Sequence, residues 1–423
     1  MPLRGWRGGP FARAPGALEA PAMDTPSAPR PVVRLRPGAD PRPIRFGMPW
    51  VWADEVVADR RTRAIAPGTL AVLEDAERRP TGLVAVNMGS KIAARMLDPD
   101  PAATIDAGWF EARIAHALAL REALYPAPYY RLVHAEADGL PGVVIDRFGD
   151  AAVIQPNAAW AEAHLPDLVA ALRRVTGVGT VVKNASGRTR ATEGLDDAGG
   201  VLAGALAGPV AVPMNGAVYM ADLEGGQKTG LYYDQRENHA FAARLGRGAR
   251  VLDVFAHVGG FGLAALAGGA ASALAVDGSA PALALAARGA EASGLAERFA
   301  TRQGDAFDVM ADLAAAGERF GLVVCDPPAF APARPALEAG LRAYERVARL
   351  AAPLVAPGGY LVVCSCSHAA DLAAFRSASV RGIGRAGRRG QIVHTGFAGP
   401  DHPVLPQLAE TGYLKALAFR LDG

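Results

Sequence analysis

The stretch Val251 to Gly262, VLDVFAHVGGFG, constrains this chain more than any other, because it is an apolar strand that breaks into a glycine-rich turn. Val251, Leu252, Val254 and Phe255 form a short β-prone run, and Gly259, Gly260 and Gly262 follow where a parallel strand hands over to a helix. Glycines at such a turn allow positive φ and let a ligand approach the backbone closely. Phe261 to Ala271 predicts a small-residue helix, and Ala273 to Val276 a second strand ending on Asp277. In an open parallel sheet, an acid at that point accepts hydrogen bonds from ribose hydroxyls. An ordinary βαβ turn would carry the same glycines, so the assignment depends on the strand ends downstream.

An Ala-rich helix over Ala280 to Ser293 leads to a strand at Phe299 to Gln303 and then to Asp305, where an acid could hydrogen-bond an adenine amino group. The fourth strand, Phe320 to Cys325, ends in Asp326-Pro327-Pro328-Ala329-Phe330. Two consecutive prolines cannot extend a sheet, so the chain leaves abruptly at the carboxyl edge and exposes Asp326. A helix from Ala336 to Leu354, a turn at Pro357-Gly358-Gly359 and a fifth strand, Tyr360 to Val363, end in Cys364-Ser365-Cys366-Ser367-His368. These strand ends converge on one crevice. The turn is GGFG rather than GxGxxG, and a DPP turn has no use in hydride transfer, which argues against a dinucleotide dehydrogenase. S-adenosylmethionine has one ribose, one adenine and no pyrophosphate, and a glycine turn with two strand-end acids suffices for it.

The chain's 423 residues predict two or three domains. Residues 1–31 are rich in Pro, Arg and Ala without periodicity and predict a disordered extension. From Val32, five short strands separated by Pro and Gly turns predict a small all-β unit, with Trp50 and Trp52 as either base-stacking or packing residues. Thr104 to Tyr125 has helical spacing, Tyr130 to Gln155 alternates around a DGLPG turn as a hairpin, Ala159 to Val175 is a helix, and Gly179 to Asn184 a strand. Gly204 to Leu223 alternates again and runs into EGGQKTGLYYDQRENH, a loop too polar for a core and placed to lie across a cofactor mouth. No run approaches a membrane span, and the odd count of three cysteines, with no disulfide framework, suggests a reducing cytoplasm. The net charge of +2 is too small to prove a polyanionic partner.

Several motifs in order carry a resemblance: PWVW (Pro49 to Trp52), DGLPGVVIDRFG, GQKTGLYYDQR, VLDVFAHVGGF, DPPAF, SCS (Ser365 to Ser367), DHPV (Asp401 to Val404) and YLK (Tyr413 to Lys415). From Glu224 onward the chain resembles class I S-adenosylmethionine-dependent RNA methyltransferases. Over nearly its whole length past Val32 it resembles the bacterial 23S rRNA cytosine carbon-5 methyltransferases that carry a PUA domain. The resemblance implies an α/β protein with a PUA-like RNA-binding domain at 32–104, a linking α+β domain at 105–224 and a Rossmann-like methyltransferase domain at 225–423. It also implies 23S rRNA as partner in the cytoplasm and allows a homodimer; no metal is expected. Asp253, Phe255, Gly259, Gly260, Asp277, Asp305, Asp326 and Gln235 would bind S-adenosyl-L-methionine, and Trp50, Lys228, Arg236, Pro327, Pro328 and Phe330 the RNA.

Carbon-5 of cytosine is a poor nucleophile, and addition of a thiolate to carbon-6 activates it. This chemistry needs a cysteine at a strand end facing the cofactor and a group hydrogen-bonding N3. Cys366 fits the first role and Asp326 the second. Cys364 is the rival two residues away, on the same face if the strand continues that far. The resemblance favours Cys366, because the family's cysteine also lies between two serines, and Cys325 is a buried strand residue. Ala329 stands where this branch usually has lysine, and His257 where a small hydroxylated or aromatic residue is commoner. The basic segment Arg376 to Arg389 reads equally as an RNA track or a solvated helix. The alternatives are a methyltransferase for another rRNA or tRNA base, and a non-catalytic RNA-binding assembly factor.

Overall fold

The computed structural model describes residues 29–225 and 230–422. The expected extension lies almost wholly outside the described residues, as does Lys228. The five strands expected after Val32 are β1 (Val32–Arg34), β2 (Trp50–Trp52), β3 (Thr69–Glu74), β4 (Pro80–Val86) and β5 (Ile92–Asp98). They form one sheet in the order β1-β3-β4-β5-β2, with Val33, Val51, Leu73, Val84 and Val86 in a common core.

Helix α1 (Ala107–Leu124) starts where Asp106 accepts a hydrogen bond from the Trp109 amide. It covers a second five-stranded sheet built from β6 (Tyr129–His134), β7 (Val143–Phe148), β8 (Ala151–Pro156), β9 (Thr180–Lys183) and β10 (Gly200–Ala203). Phe110, Ile114, Leu132, Ile145, Ile154 and Trp160 fill the space between. The helix expected from Ala159 to Val175 is two, α2 (Ala159–Ala163) and α3 (Leu165–Thr176), broken at His164, where Pro166 opens the second. A hairpin, β11 (Val210–Met214) and β12 (Ala217–Ala221), turns on Asn215-Gly216, both at positive φ as a tight two-residue turn requires.

Helix α4 (Arg236–Leu245) leads into an alternating run: β13 (Arg250–Val254), α5 (Gly260–Ala267), β14 (Ser272–Asp277), α6 (Ala280–Ala292), β15 (Phe299–Gln303), α7 (Ala306–Ala315), β16 (Phe320–Cys325), α8 (Leu337–Ala351), β17 (Val355–Ser365), α9 (Leu372–Arg385), β18 (Gly390–Gly396) and β19 (Lys415–Leu421). The sheet order is β15-β14-β13-β16-β17-β19-β18, parallel throughout except for β19, which runs antiparallel to both neighbours. Strand order reverses between β13 and β16, and a crevice opens beyond their carboxyl ends. The expected Pro357-Gly358-Gly359 turn is instead an irregularity inside β17, where the pairing with β16 slips and Gly358 takes positive φ.

Candidate active site

The crevice holds a cavity of about 460 Å³, walled by Tyr232, Phe255, His257, Asp277, Asp326, the Pro327–Ala329 turn, Cys366 and Leu414. A smaller cavity of about 80 Å³ adjoins it beneath the glycine turn, where His239, Asp253 and Gly260 take part in the wall. Tyr232, Gln235, Phe255, His257 and Asp326 border both.

The turn after β13 is bent by local strain that its surroundings hold in place. Phe255 (φ 63), His257 (φ 49) and Gly259 (φ 81) take left-handed conformations at alternate positions. A non-glycine residue pays about 1–3 kcal/mol for such a conformation, which persists only where neighbours over-determine it. Two carboxylates do so: Asp277 accepts from the His257 amide at 2.8 Å and Asp253 from the Gly262 amide at 2.8 Å. Gly260 is required for a separate reason, since a Cβ there would lie 2.7 Å from the His239 ring.

Several buried polar atoms facing this space have no protein partner. They are Asp234 Oδ1, Gln235 Nε2, His239 Nδ1 and Asp253 Oδ1, and their residues line one or both cavities. Burial pushes Asp253 up to about 7 and pulls His239 down to about 3. Open carboxylate oxygens beside an amide donor suit an amino acid's ammonium and carboxylate. Asp277, whose other oxygen accepts from the Ser279 amide, lines the larger cavity beside them. This donor and acceptor set fits S-adenosylmethionine.

The cysteines separate by burial. Cys325 and Cys364 are fully buried, and burial drives both thiols far above the ordinary range. Strand β17 stops at Ser365, so Cys366 leaves the ladder and is the one cysteine lining the large cavity. Its sulfur lies 4.0 Å from the Pro327 carbonyl of the DPP turn.

Other expected site residues lie elsewhere. Asp305 is outside the wall of both cavities; its carboxylate caps α7 through the Phe307 and Asp308 amides. Arg236, expected at the RNA, is buried, bonded to the Tyr129 carbonyl and packed 4.2 Å from the Tyr125 ring centre. Trp50 is half-buried, and its indole N–H donates to Glu136 at 2.9 Å, while Trp52 is the more exposed indole. Phe330 packs 5.0 Å from Tyr344 rather than lining the cavity, while Pro327 and Pro328 do line it. In the basic segment, Arg381 and Arg385 pair with Glu345, and Arg388 bonds backbone carbonyls of Ala352, Val355 and Asp422. Asp138 and Asp146 are buried ion-pair partners of Arg121 and Arg131.

Sequence reasoning missed His239, Ser279 and Leu414, and gave no role to the DHPV and YLK motifs. Their signal was faint: a histidine inside a helix, and short motifs more than a hundred residues from the glycine turn. In the fold, Asp401 bonds His402 and the Arg131 amide, and Tyr413 donates to Asp234 at 2.6 Å.

The comparisons agree with this geometry. The family model described as S-adenosylmethionine-dependent methyltransferase matches residues 169–420, and a PUA-like domain model matches residues 33–99. A ribosomal RNA large subunit methyltransferase of Deinococcus radiodurans is 34% identical over 421 residues, covering 95% of this chain and 100% of the relative. The ribosomal RNA large subunit methyltransferase I of Cronobacter sakazakii is 33% identical, with 88% and 94% covered. A methyltransferase solved with S-adenosylhomocysteine shares the fold at a TM-score of 0.77 and 18% identity, covering 93% of this chain and 100% of its own. Among the described residues no helix is long and apolar enough to cross a membrane. The chain belongs to the S-adenosylmethionine-dependent methyltransferases that carry a PUA-like domain, the family of the ribosomal RNA large subunit methyltransferases.

Proposed function

We propose that this enzyme methylates carbon-5 of a cytosine in 23S rRNA, in the cytoplasm, through a covalent bond to Cys366. The observation that carries the reading is that Cys366 lines the same cavity as Asp326 and Asp277, while Cys364 and Cys325 are sealed in the core. When bound, S-adenosylmethionine supplies an electrophilic methyl group on a sulfonium. Asp253, Asp234 and Gln235 hold the amino-acid end through their open polar atoms, with the Phe255–Gly260 backbone beneath it, and Asp277 holds the ribose. The Cys366 thiolate adds to carbon-6 of the cytosine, and Asp326 shares a proton with N3 so that electron density collects at carbon-5. After methyl transfer a base removes the carbon-5 proton, the carbon–sulfur bond breaks and the thiolate departs. The sheet of β1 to β5, at the PUA-like match, and the exposed face of Pro328 are the proposed RNA contacts, with domains divided near residues 104 and 224.

The test is transfer of labelled methyl groups to 23S rRNA from a strain lacking the enzyme, followed by mass spectrometry of the digest. We expect 5-methylcytidine, and a fall of at least about a thousandfold in turnover for Cys366→Ala with cofactor affinity retained. Undiminished turnover in that variant overturns the covalent step. A different methylated base, or label confined to tRNA, overturns the target.

A further inference from the structure

Tyr413, Leu414 and Lys415 are successive residues at the entry to β19, and each meets a different part of the cavity's surroundings. Tyr413 Oη donates to Asp234 on the loop before α4 at 2.6 Å, and Leu414 lines the cavity itself. Lys415 Nζ donates to the carbonyl oxygens of Ser367 and Ala370, each at 2.7 Å. Those carbonyls belong to the loop that leaves β17 carrying Cys366, and Lys415 pairs in register with Ser365, the residue before it. The ammonium is buried and, among the described residues, makes no ion pair. Burying a cation without a carboxylate is costly. Burial pulls Lys415 below the usual lysine range, while Cys366 and Asp371 oppose the pull.

The surroundings of Cys366 explain what that charge is placed to do. Tyr232, Tyr344, Tyr413 and Cys364 interact electrostatically with Cys366, and Asp234, Asp277, Asp326 and His257 line its cavity. Most of these are acids, the bases being His257 and, two residues after Cys366, His368, whose ring lies 5.3 Å from that of Tyr413; carboxylates beside a thiol oppose its ionisation. Arg131 approaches Tyr413, but its guanidinium is paired with Asp146. A thiolate nucleophile needs a neighbouring positive charge.

We propose that Lys415 is a positioning residue that fixes the Cys366 loop and supplies the positive field in which the thiol ionises. This rests on Cys366 as the nucleophile. Tyr413, two residues earlier, ties the cofactor loop to the same strand, so one tripeptide registers the methyl-donor side of the cavity against the sulfur side.

Iodoacetamide alkylation of the full chain as a function of pH tests it, with Cys366→Ser as the blank. In the wild type the alkylation midpoint is expected below the ordinary thiol value of about 8.5. In Lys415→Met it is expected to rise by about one pH unit, slowing alkylation at pH 7 about tenfold. Lys415→Arg should recover part of the loss, and S-adenosylhomocysteine affinity should stay within about twofold. Coincident profiles for wild type and Lys415→Met overturn the proposal. If Lys415→Met does not fold, the wild type decides alone, since a midpoint at or above about 8.5 overturns it. Alkylation reads the sulfur whether or not it is catalytic. Retained methyl transfer in Cys366→Ser would therefore overturn the covalent reading, whereas coincident alkylation profiles would overturn only the role of Lys415.

Discussion

Two polar regions are buried side by side in this molecule, and they are built on opposite principles. In the seam between the second sheet and the methyltransferase sheet the charges are matched. Arg121 grips Asp138 with two hydrogen bonds and also donates to the Asp401 carbonyl, Arg131 pairs with Asp146, and Asp401 bonds His402. In the cavities a few residues away, Asp234, Gln235, His239 and Asp253 each leave a buried polar atom without a protein partner. Unpaired burial costs free energy that a fold does not keep without a use. The difference teaches how the two regions work: the paired charges of the seam hold elements together, and the open polar atoms whose residues line the cavities are placed to meet a ligand.

The comparison breaks first at Arg121. Arg121→Ala leaves Asp138 buried and uncompensated, and we expect a loss of about 3–5 kcal/mol, seen as a lower denaturation midpoint. A loss under about 1 kcal/mol would mean that the seam is not what joins the sheets.

Asp253 should behave in the opposite way. Its folded-state pKa of about 7 lies above the ordinary value near 3.9, so the native state keeps a proton that the unfolded chain has released. Its contribution to stability is therefore intact below about pH 4 and is lost as pH rises toward 7. Asp253→Asn should match the wild type in thermal melts at pH 4 and exceed it by up to a few kcal/mol at pH 8. An ammonium at the open oxygen favours the ionised carboxylate, so S-adenosylhomocysteine affinity should weaken by up to about tenfold per unit below pH 7, and calorimetry of the Asn variant should lack that dependence. A wild-type affinity flat between pH 5.5 and 7.5 would remove Asp253 from the ligand.

The smallest effect is expected at Trp50. Trp50→Phe deletes the hydrogen bond to Glu136, which should cost about 1 kcal/mol in chemical denaturation and leave RNA affinity within about twofold. A large loss of RNA affinity would establish its stacking role.

Much of the fold was legible because its signals are local. The runs ending at Val254, Asp277, Gln303 and Cys325 alternate with Ala-rich helices and end where glycine, proline or an acid stops them, so the strand limits emerged nearly as expected. Legibility failed where a local signal had two outcomes. Pro357-Gly358-Gly359 signals a turn or a bulge, and the β16 neighbour made it a bulge. Trp50 and Arg236 carry side chains that suit RNA, yet each found a partner inside the protein.

By itself, then, the sequence determined the parallel sheet, its crevice and the residue types gathered there, because strand period, turn chemistry and chain exits act over a few residues. Only the tertiary structure decided which cysteine faces the cavity, that Asp305 is a helix cap, and that YLK joins the two sides of the site. Those outcomes depend on contacts such as Tyr413 with Asp234 and Arg121 with Asp401, made between residues 179 and 280 positions apart. Packing brings such residues together, and no local pattern in the chain records which partner each one meets.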